Sequence, residues 1–378
     1  MNGGWRRRSR RLTGALAAAG LLTDPRLGAA FREVPRHVLV PVYLERTEHG
    51  WRRRESAREL ATVYSDTVLV TAVGGDGEVL STSSQPGVMA RMLESLALRD
   101  GMRVLEIGTG SGYNAALLCH RLGAGRVYSI DVEPELVATT RDRLAGLGYH
   151  PNLAVGDGSA GLPEHAPFDR VLATCAVPAI PFAWVEQCRI GGVLLGDLKP
   201  VRSAGNLVRL VRVGRQRAQG RFERGYATFM DLRQTAGLVA ESGWPPPRGE
   251  GQRRESELAP GPLFDHGLVV WFLACLELGP GTVSGFFGYE RRQFRLATAD
   301  GSLASVSVRP RSGVHQVREY GPRQLWRIVE AAHEHWVALG KPGWDAFGLT
   351  VTPERQTVWF GEPGGEPSWV LGSPVPPE

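Results

Sequence analysis

The sequence predicts an α/β protein: a Rossmann-like, doubly wound sheet, preceded by helices and followed by an α+β extension. Three observations predict it. From Met102 onward, short apolar runs alternate with amphipathic ones, the rhythm of a parallel sheet with helices on both faces. Residues 104–112 read VLEIGTGSG, a strand buried on both sides that runs through a glycine-rich turn into a helix. Beyond residue 200 the alternation gives way to paired strand-like runs and one amphipathic helix. The 378 residues suit two domains or one enlarged α/β domain. With 42% hydrophobic and 22% charged residues the chain is neither disordered nor fibrous as a whole. No apolar run approaches the roughly 20 residues that cross a bilayer.

The elements follow in order. Residues 1–60 hold thirteen arginines against six acids, and of all 44 basic residues only Lys199 and Lys341 are lysine. Such a basic front end could meet an acidic partner. The run from Arg6 to Arg11 nevertheless reads first as a solvated, frayed tail. Together with the apolar stretch behind it, that run could pass for a signal peptide. Thr13, Gly14 and Gly20 interrupt the stretch, while Leu12, Leu16 and Ala19 fall at helical spacing, so a cytosolic amphipathic helix explains it equally well. A polar stretch (45–59) leads to a strand (67–73), a turn at Gly74–Gly77, and a hydroxyl-rich segment, STSSQ, that opens a helix at Pro86. The core then has strands at VLEIG, RVYSID, NLAVGD and FDRVLATC, with helices over 111–122 and 133–147. NLVRLVRV and GRFERGYATFM suit antiparallel strands at a sheet edge. Residues 236–262 read as a linker, GLVVWFLACLEL as a buried strand or helix, and Asp300-Gly301 as a hairpin turn. The proline-rich tail from Gly364 is left without structure. The resulting division is a helical region (1–100), a Rossmann-like core (101–235), the linker (236–262) and an α+β extension (263–378).

The chemistry sits at the first core strand. Gly108, Gly110 and Gly112, with Thr109 and Ser111 between them, let the backbone turn tightly and approach a ligand, and the next helix points free N–H groups at it. A dinucleotide fingerprint would need glycine where Tyr113 stands. Glu106 lies two residues before the loop. Asp131 ends the second strand, at the spacing from which a carboxylate binds both ribose hydroxyls. Asp157-Gly158 ends the third, where Asp157 could accept from an adenine amino group. Each acid alone is most simply a cap or a turn residue. Together they describe a nucleoside that carries positive charge and no phosphate, and S-adenosyl-L-methionine fits.

These motifs resemble the protein-L-isoaspartate (D-aspartate) O-methyltransferase family. VLEIGTGSGYNAALL, VYSID, VGDG, APFD and ATCAVPAIP carry the resemblance, and STSSQPGVMARMLE is similar to that family's substrate loop. It covers about residues 10–200. It implies a class I S-adenosylmethionine-dependent methyltransferase fold, with the substrate loop inside the helical region. Ser84 corresponds to the active-site serine, with Thr82, Ser83 and Gln85 beside it. Glu106, Gly108, Asp131, Val132, Asp157 and Gly158 correspond to cofactor contacts, alongside Thr109, Gly110 and Ser111 of the loop. Ala176, Val177 and Pro178 correspond to the loop that faces the substrate carboxylate. Gly87, Val88, Cys175 and Val177 depart from the usual pattern, which bears on the substrate more than on the reaction. The long C-terminal extension resembles a subgroup found beside ATP-grasp enzymes in the maturation of ribosomal peptides (graspetides). The partner implied is then a peptide or protein with a reactive Asp or isoAsp, acidic in character, with neither nucleic acid nor membrane involved.

The residue inventory agrees with esterification. An Asp or isoAsp carboxylate has a pKa near 4 and is ionised at neutral pH, so no general base is needed. The ester would then close to an aspartimide. A nucleic-acid methyltransferase is the competing enzyme class, but Thr174–Pro178 lacks the polar acceptor for an exocyclic amine. A peptide-binding module with a vestigial cofactor fold is disfavoured by the intact glycine loop. Cys119, Cys175, Cys188 and Cys275 form no C-x-x-C pair, so reduced thiols in a cytoplasmic protein are expected. His333 and His335, at i, i+2 on a helix, face different directions and predict no metal site.

Overall fold

The computed structural model describes residues 3–201, 204–233, 250–288 and 292–372. They form two compact units: residues 1–175 with 183–195, and residues 176–182 with 196–378. Among the described residues no helix is long and apolar enough to cross a membrane.

The first unit opens with α1 (Gly3–Ala18) and α2 (Pro25–Glu33). The arginine run is therefore helix, not a frayed tail. Trp5, Leu12 and Leu16 are buried along one stripe, and the buried Ser9 hydroxyl donates to the Phe31 carbonyl of α2 at 2.7 Å. The arginines occupy the opposite face, where Arg6, Arg7, Arg10 and Arg11 are exposed. Asp24 caps α2 by accepting from the Arg26 amide, and Pro25 supplies the fixed φ of a first helical turn. One turn, α3 (Arg36–Leu39), follows.

The region expected to be helical also holds a sheet. β1 (Val42–Thr47) and β2 (Gly50–Glu55) form a hairpin, followed by α4 (Leu60–Val63), β3 (Leu69–Val73) and β4 (Val79–Ser83), in the order β2-β1-β3-β4. The polar stretch 45–59 is thus largely strand. It hides its pattern because β2 exposes Arg52 and Arg53, leaving little apolar alternation to read. The hydroxyl-rich segment is likewise strand first, and α5 (Pro86–Ser95) starts only at the proline.

The parallel core comprises β5 (Val104–Ile107), α6 (Tyr113–Leu122), β6 (Val127–Asp131), α7 (Pro134–Gly146), β7 (Asn152–Val155) and β8 (Phe168–Val177). β5 pairs in parallel with both β6 and β8, and β6 with β7. This is the predicted doubly wound arrangement, and it brings the carboxyl ends of β5, β6 and β7 side by side. The short helix α8 (Phe182–Gln187) leads to β9 (Cys188–Val201), a long strand that passes from the first unit into the second.

In the second unit β10 (Ala204–Gly214) and β11 (Arg217–Phe222) form a hairpin. β11 does not end the sheet as expected, because β17 (Phe347–Val351) pairs with it in antiparallel fashion. Three elements lie between them in sequence: the helices α9 (Leu268–Leu278) and α10 (Leu325–Ala338), and a five-stranded sheet. That sheet runs β12 (Gln252–Ser256), β16 (His315–Tyr320), β15 (Leu303–Ser307), β14 (Gln293–Ala297), β13 (Val283–Phe287). Most of the proposed linker lies outside the described residues, but its Gln252–Ser256 portion is the edge strand β12. The ambiguous GLVVWFLACLEL is a helix. Phe272 on it packs edge-on against Phe222 (5.2 Å between centroids) and lies 5.1 Å from Trp344. β18 (Gln356–Phe360) and β19 (Ser368–Val370) complete the sheet, so part of the proline-rich tail is strand.

Candidate active site

The glycine loop owes its shape to three residues in the left-handed region: Gly108 (φ 96°), Gly110 (φ 49°) and Gly112 (φ 78°). Space demands glycine as much as torsion does. A Cβ on Gly112 would stand 2.4 Å from Thr140 Cγ2, and one on Gly108 would stand 2.7 Å from Thr174 Oγ1. Thr174 Oγ1 lies 2.9 Å from the Gly108 carbonyl, and Thr140 Oγ1 donates to the Gly110 carbonyl at 2.9 Å. The loop is therefore held from both sides. Helix α6 starts immediately behind it, leaving its first N–H groups at the turn.

The acids divide into two kinds. Asp131 Oδ2 accepts from the Gly110 amide at 3.0 Å, placing the end of β6 on the loop, and Asp157 Oδ1 accepts from the Ser159 amide at 2.8 Å at the end of β7. Both remain half-buried. Glu106 is fully buried. Its oxygens accept from Asn114 Nδ2 (2.6 Å) and Ser129 Oγ (2.7 Å), and Ser129 Oγ also pairs with Thr109 Oγ1 at 2.7 Å. Burial, with a smaller push from Asp131, raises the Glu106 carboxyl to about 7 despite both hydrogen bonds. Asn114 Oδ1 is buried without a hydrogen-bond partner, an acceptor left over in the first turn of α6. Gly158 offers its carbonyl to the buried Trp184 indole at 2.8 Å. Val132, half-buried, follows Asp131 in the bend before α7.

The hydroxyl segment meets the glycine loop. A Cβ on Gly110 would lie 3.7 Å from the Thr82 carbonyl and 4.0 Å from Ser81 Oγ. Thr82, Ser84 and Gln85 are half-buried and Ser83 is buried. Asp66 holds the turn into α5 by accepting from Gln85 Nε2 (2.9 Å) and the Gly87 amide (2.6 Å). On the other side stands Arg36, fully buried, which donates to the carbonyls of Ser83 (3.2 Å) and Ser84 (3.0 Å). Sequence reasoning missed Arg36 and Asp66. One arginine among 42 carries no signal when its acceptors are backbone carbonyls far along the chain.

Thr82 to Gln85, Glu106 to Ser111, Asp131, Val132, Asp157 and Gly158 all lie in the first unit. Ala176, Val177 and Pro178 lie in the second, Ala176 and Val177 buried. There Ala176 bridges Asp231, its amide donating to the Met230 carbonyl and its carbonyl accepting from the Leu232 amide, both at 2.8 Å. Gln356 clamps the same loop through the Ile180 amide (3.0 Å) and carbonyl (2.7 Å). Lys199, one of the two lysines, pairs with Asp231 at 3.0 Å.

A profile of the family protein-L-isoaspartate(D-aspartate) O-methyltransferase (PCMT) matches residues 7–226. The protein-L-isoaspartate O-methyltransferase of Ignicoccus hospitalis is 37% identical over 190 residues, 50% of this chain and 80% of that protein. The one of Methylorubrum populi is 38% identical over 232 residues, 61% of this chain and 97% of that protein. A solved structure, also a protein-L-isoaspartate O-methyltransferase, matches the fold with a TM-score of 0.56 at 24% identity, covering 97% of this chain and 99% of its own. The chain thus belongs to the PCMT family and is a carboxyl O-methyltransferase that uses S-adenosyl-L-methionine.

Proposed function

We propose that the chain methylates the free α-carboxylate of an isoaspartyl residue in a peptide or protein, with Ser84 at the reacting centre. The observation that carries this reading is the close approach of the hydroxyl strand end to the glycine loop at Gly110 and Thr82.

The residues present fit S-adenosyl-L-methionine. The loop is stripped of side chains by its three glycines, Asp131 and Asp157 offer carboxylates at successive strand ends, and the orphaned Asn114 Oδ1 suits a cationic group. In this reading Thr82, Ser83, Gln85, Glu106, Gly108, Thr109, Gly110, Ser111, Asp131, Val132, Asp157 and Gly158 form the cofactor site. When bound, the cofactor supplies an activated methyl group on a sulfonium. The chain's own residues do the rest. The substrate carboxylate is ionised near neutral pH, so nothing must remove a proton from it. Ser84 Oγ donates to the oxygen that does not attack, which fixes the other oxygen's direction. Ala176, Val177 and Pro178 are the residues that the family resemblance assigns to the substrate. Alignment and exclusion of water are the main contributions. The ester can expel methoxide, which the ionised carboxylate has no equivalent of. Attack by the next backbone nitrogen closes the ring with loss of methanol.

A second reading is favoured by one observation: residues 227–378 lie beyond the family profile. In it the carboxylate belongs to one Asp of an acidic, modified ribosomal peptide of the graspetide type, and the product is an aspartimide. The full-length fold likeness to a protein-L-isoaspartate O-methyltransferase supports the first reading instead. Either reaction is proposed for the cytoplasm.

Paired peptides that differ only in Asp or isoAsp at one position decide the matter by mass spectrometry. The first reading expects a methyl gain on the isoAsp member alone, followed by loss of methanol. Methylation confined to an Asp-bearing modified peptide would establish the second. Failure to methylate any such carboxylate would overturn both.

A further inference from the structure

Among the described residues, Arg36 is a fully buried arginine with no carboxylate hydrogen-bonded to it. Its guanidinium instead gathers main-chain oxygens: Val63 at 3.0 Å through one terminal nitrogen, then Thr67 at 3.1 Å, Ser83 at 3.2 Å and Ser84 at 3.0 Å through the other. Ser83 Oγ stands 3.3 Å from that second nitrogen. The charge is expensive there. Burial pulls the guanidinium down to about 10, which still leaves it protonated at neutral pH. An apolar side chain of similar volume commonly serves stability as well as a buried cation does. The acceptors show what the cation does instead. Two of them are the last carbonyls of β4 and the turn behind it, where the chain delivers Ser84.

The other boundaries of that turn are fixed too. Asp66 grips Gln85 and the Gly87 amide, so Ser84 sits between a cationic clamp and an anionic one. The guanidinium carbon lies 5.5 Å from the centroid of the Tyr113 ring, the first residue of α6 behind the glycine loop. One side chain thus touches both halves of the site: the hydroxyl segment through its carbonyls, and the start of α6 through the ring. Lysine cannot reproduce this, because an ammonium is a point donor without the planar fork.

We propose that Arg36 is a positioning residue for methyl transfer, setting the direction of Ser84 Oγ by holding the Ser83 and Ser84 carbonyls. The inference rests on the proposed role of Ser84. Arg36→Lys, compared with Ser84→Ala and with the double variant, tests it. Arg36→Lys is expected to lower kcat on an isoAsp peptide about ten- to a hundredfold while leaving S-adenosylhomocysteine affinity, read by calorimetry, unchanged. Because Arg36 acts through Ser84, the double variant should lose no more kcat than Ser84→Ala alone. Fully additive losses, or an Arg36→Lys enzyme with native kcat, overturn the proposal. Should Arg36→Lys fail to fold, hydrogen exchange on the unaltered protein decides. Amides of residues 83–85 are expected to exchange slowly with the core, and free exchange there contradicts the clamp. A wild-type enzyme that methylates no isoAsp peptide, or a Ser84→Ala enzyme with full activity, sinks the functional reading and is distinct from either outcome.

Discussion

Glu106, proposed as part of the cofactor site, also braces the glycine loop. Two positions before the glycine loop, its oxygens accept hydrogen bonds from Asn114 and Ser129. We propose that it acts by fixing that loop's underside. Its carboxyl is raised from an ordinary 4.5 to about 7, so the folded state prefers the neutral form. The stability this contributes is complete below about pH 4.5 and is lost as pH rises through about 7. Glu106→Gln can keep the network, since Ser129 can turn its hydroxyl toward Thr109. Urea titrations without cofactor should therefore show wild type weakening relative to Glu106→Gln by up to about 3 kcal/mol between pH 4 and pH 8. A parallel pair of pH profiles would refute this. The role of Gly112 was plain from the sequence. Gly112→Ala must place a methyl group 2.4 Å from Thr140 Cγ2 at positive φ, and should cost about 2–4 kcal/mol by thermal unfolding together with S-adenosylhomocysteine binding. The glycines were legible because few other residues tolerate their torsions. Arg36 and Asp66 were not, because tertiary structure alone brings them to the turn.

At the scale of elements, legibility followed burial. β5, β6 and α6 are buried nearly throughout, and their apolar runs announced them. Elements with one wet face were harder. β2 reads GWRRRE, and its pairing with β1 leaves only Gly50, Trp51 and Arg54 partly covered. The arginines of α1 disguised a helix whose other face is core. Trp5 belongs to a buried cluster with Val40, Tyr43, Val63, Tyr64 and Leu69, and its ring stacks at 6.2 Å on Tyr64. Truncation there removes a large apolar surface with no neighbour able to refill it. Trp5→Ala should cost about 3–5 kcal/mol in chemical denaturation. A cost below about 1 kcal/mol would restore the frayed tail. The Arg6, Arg7, Arg10 and Arg11 face, by contrast, should tolerate replacement by lysine with little change in stability.

At the scale of the molecule, the second unit is built around pairings that sequence order does not suggest. β11 pairs with β17, more than a hundred residues later, and Phe222 on β11 packs on Phe272 and Trp344. A chain ending at residue 233 would leave that edge bare and those rings unpacked. It should aggregate or elute as oligomers on size exclusion, whereas a stable, monodisperse monomer would show that the later strands are dispensable. Long-range antiparallel closure of this kind leaves no local signal, which is why β11 read as an edge. The loop Ala176–Phe182 belongs to this second unit and is tied by Asp231 and Gln356, residues beyond the family profile.

The most direct measurement is a crystal structure grown with S-adenosylhomocysteine. The account predicts the nucleoside over the Gly108–Gly112 loop, its ribose hydroxyls on the Asp131 carboxylate and its thioether facing Ser84. A ligand bound elsewhere, or an Asp131 that makes no contact with the sugar, would contradict it.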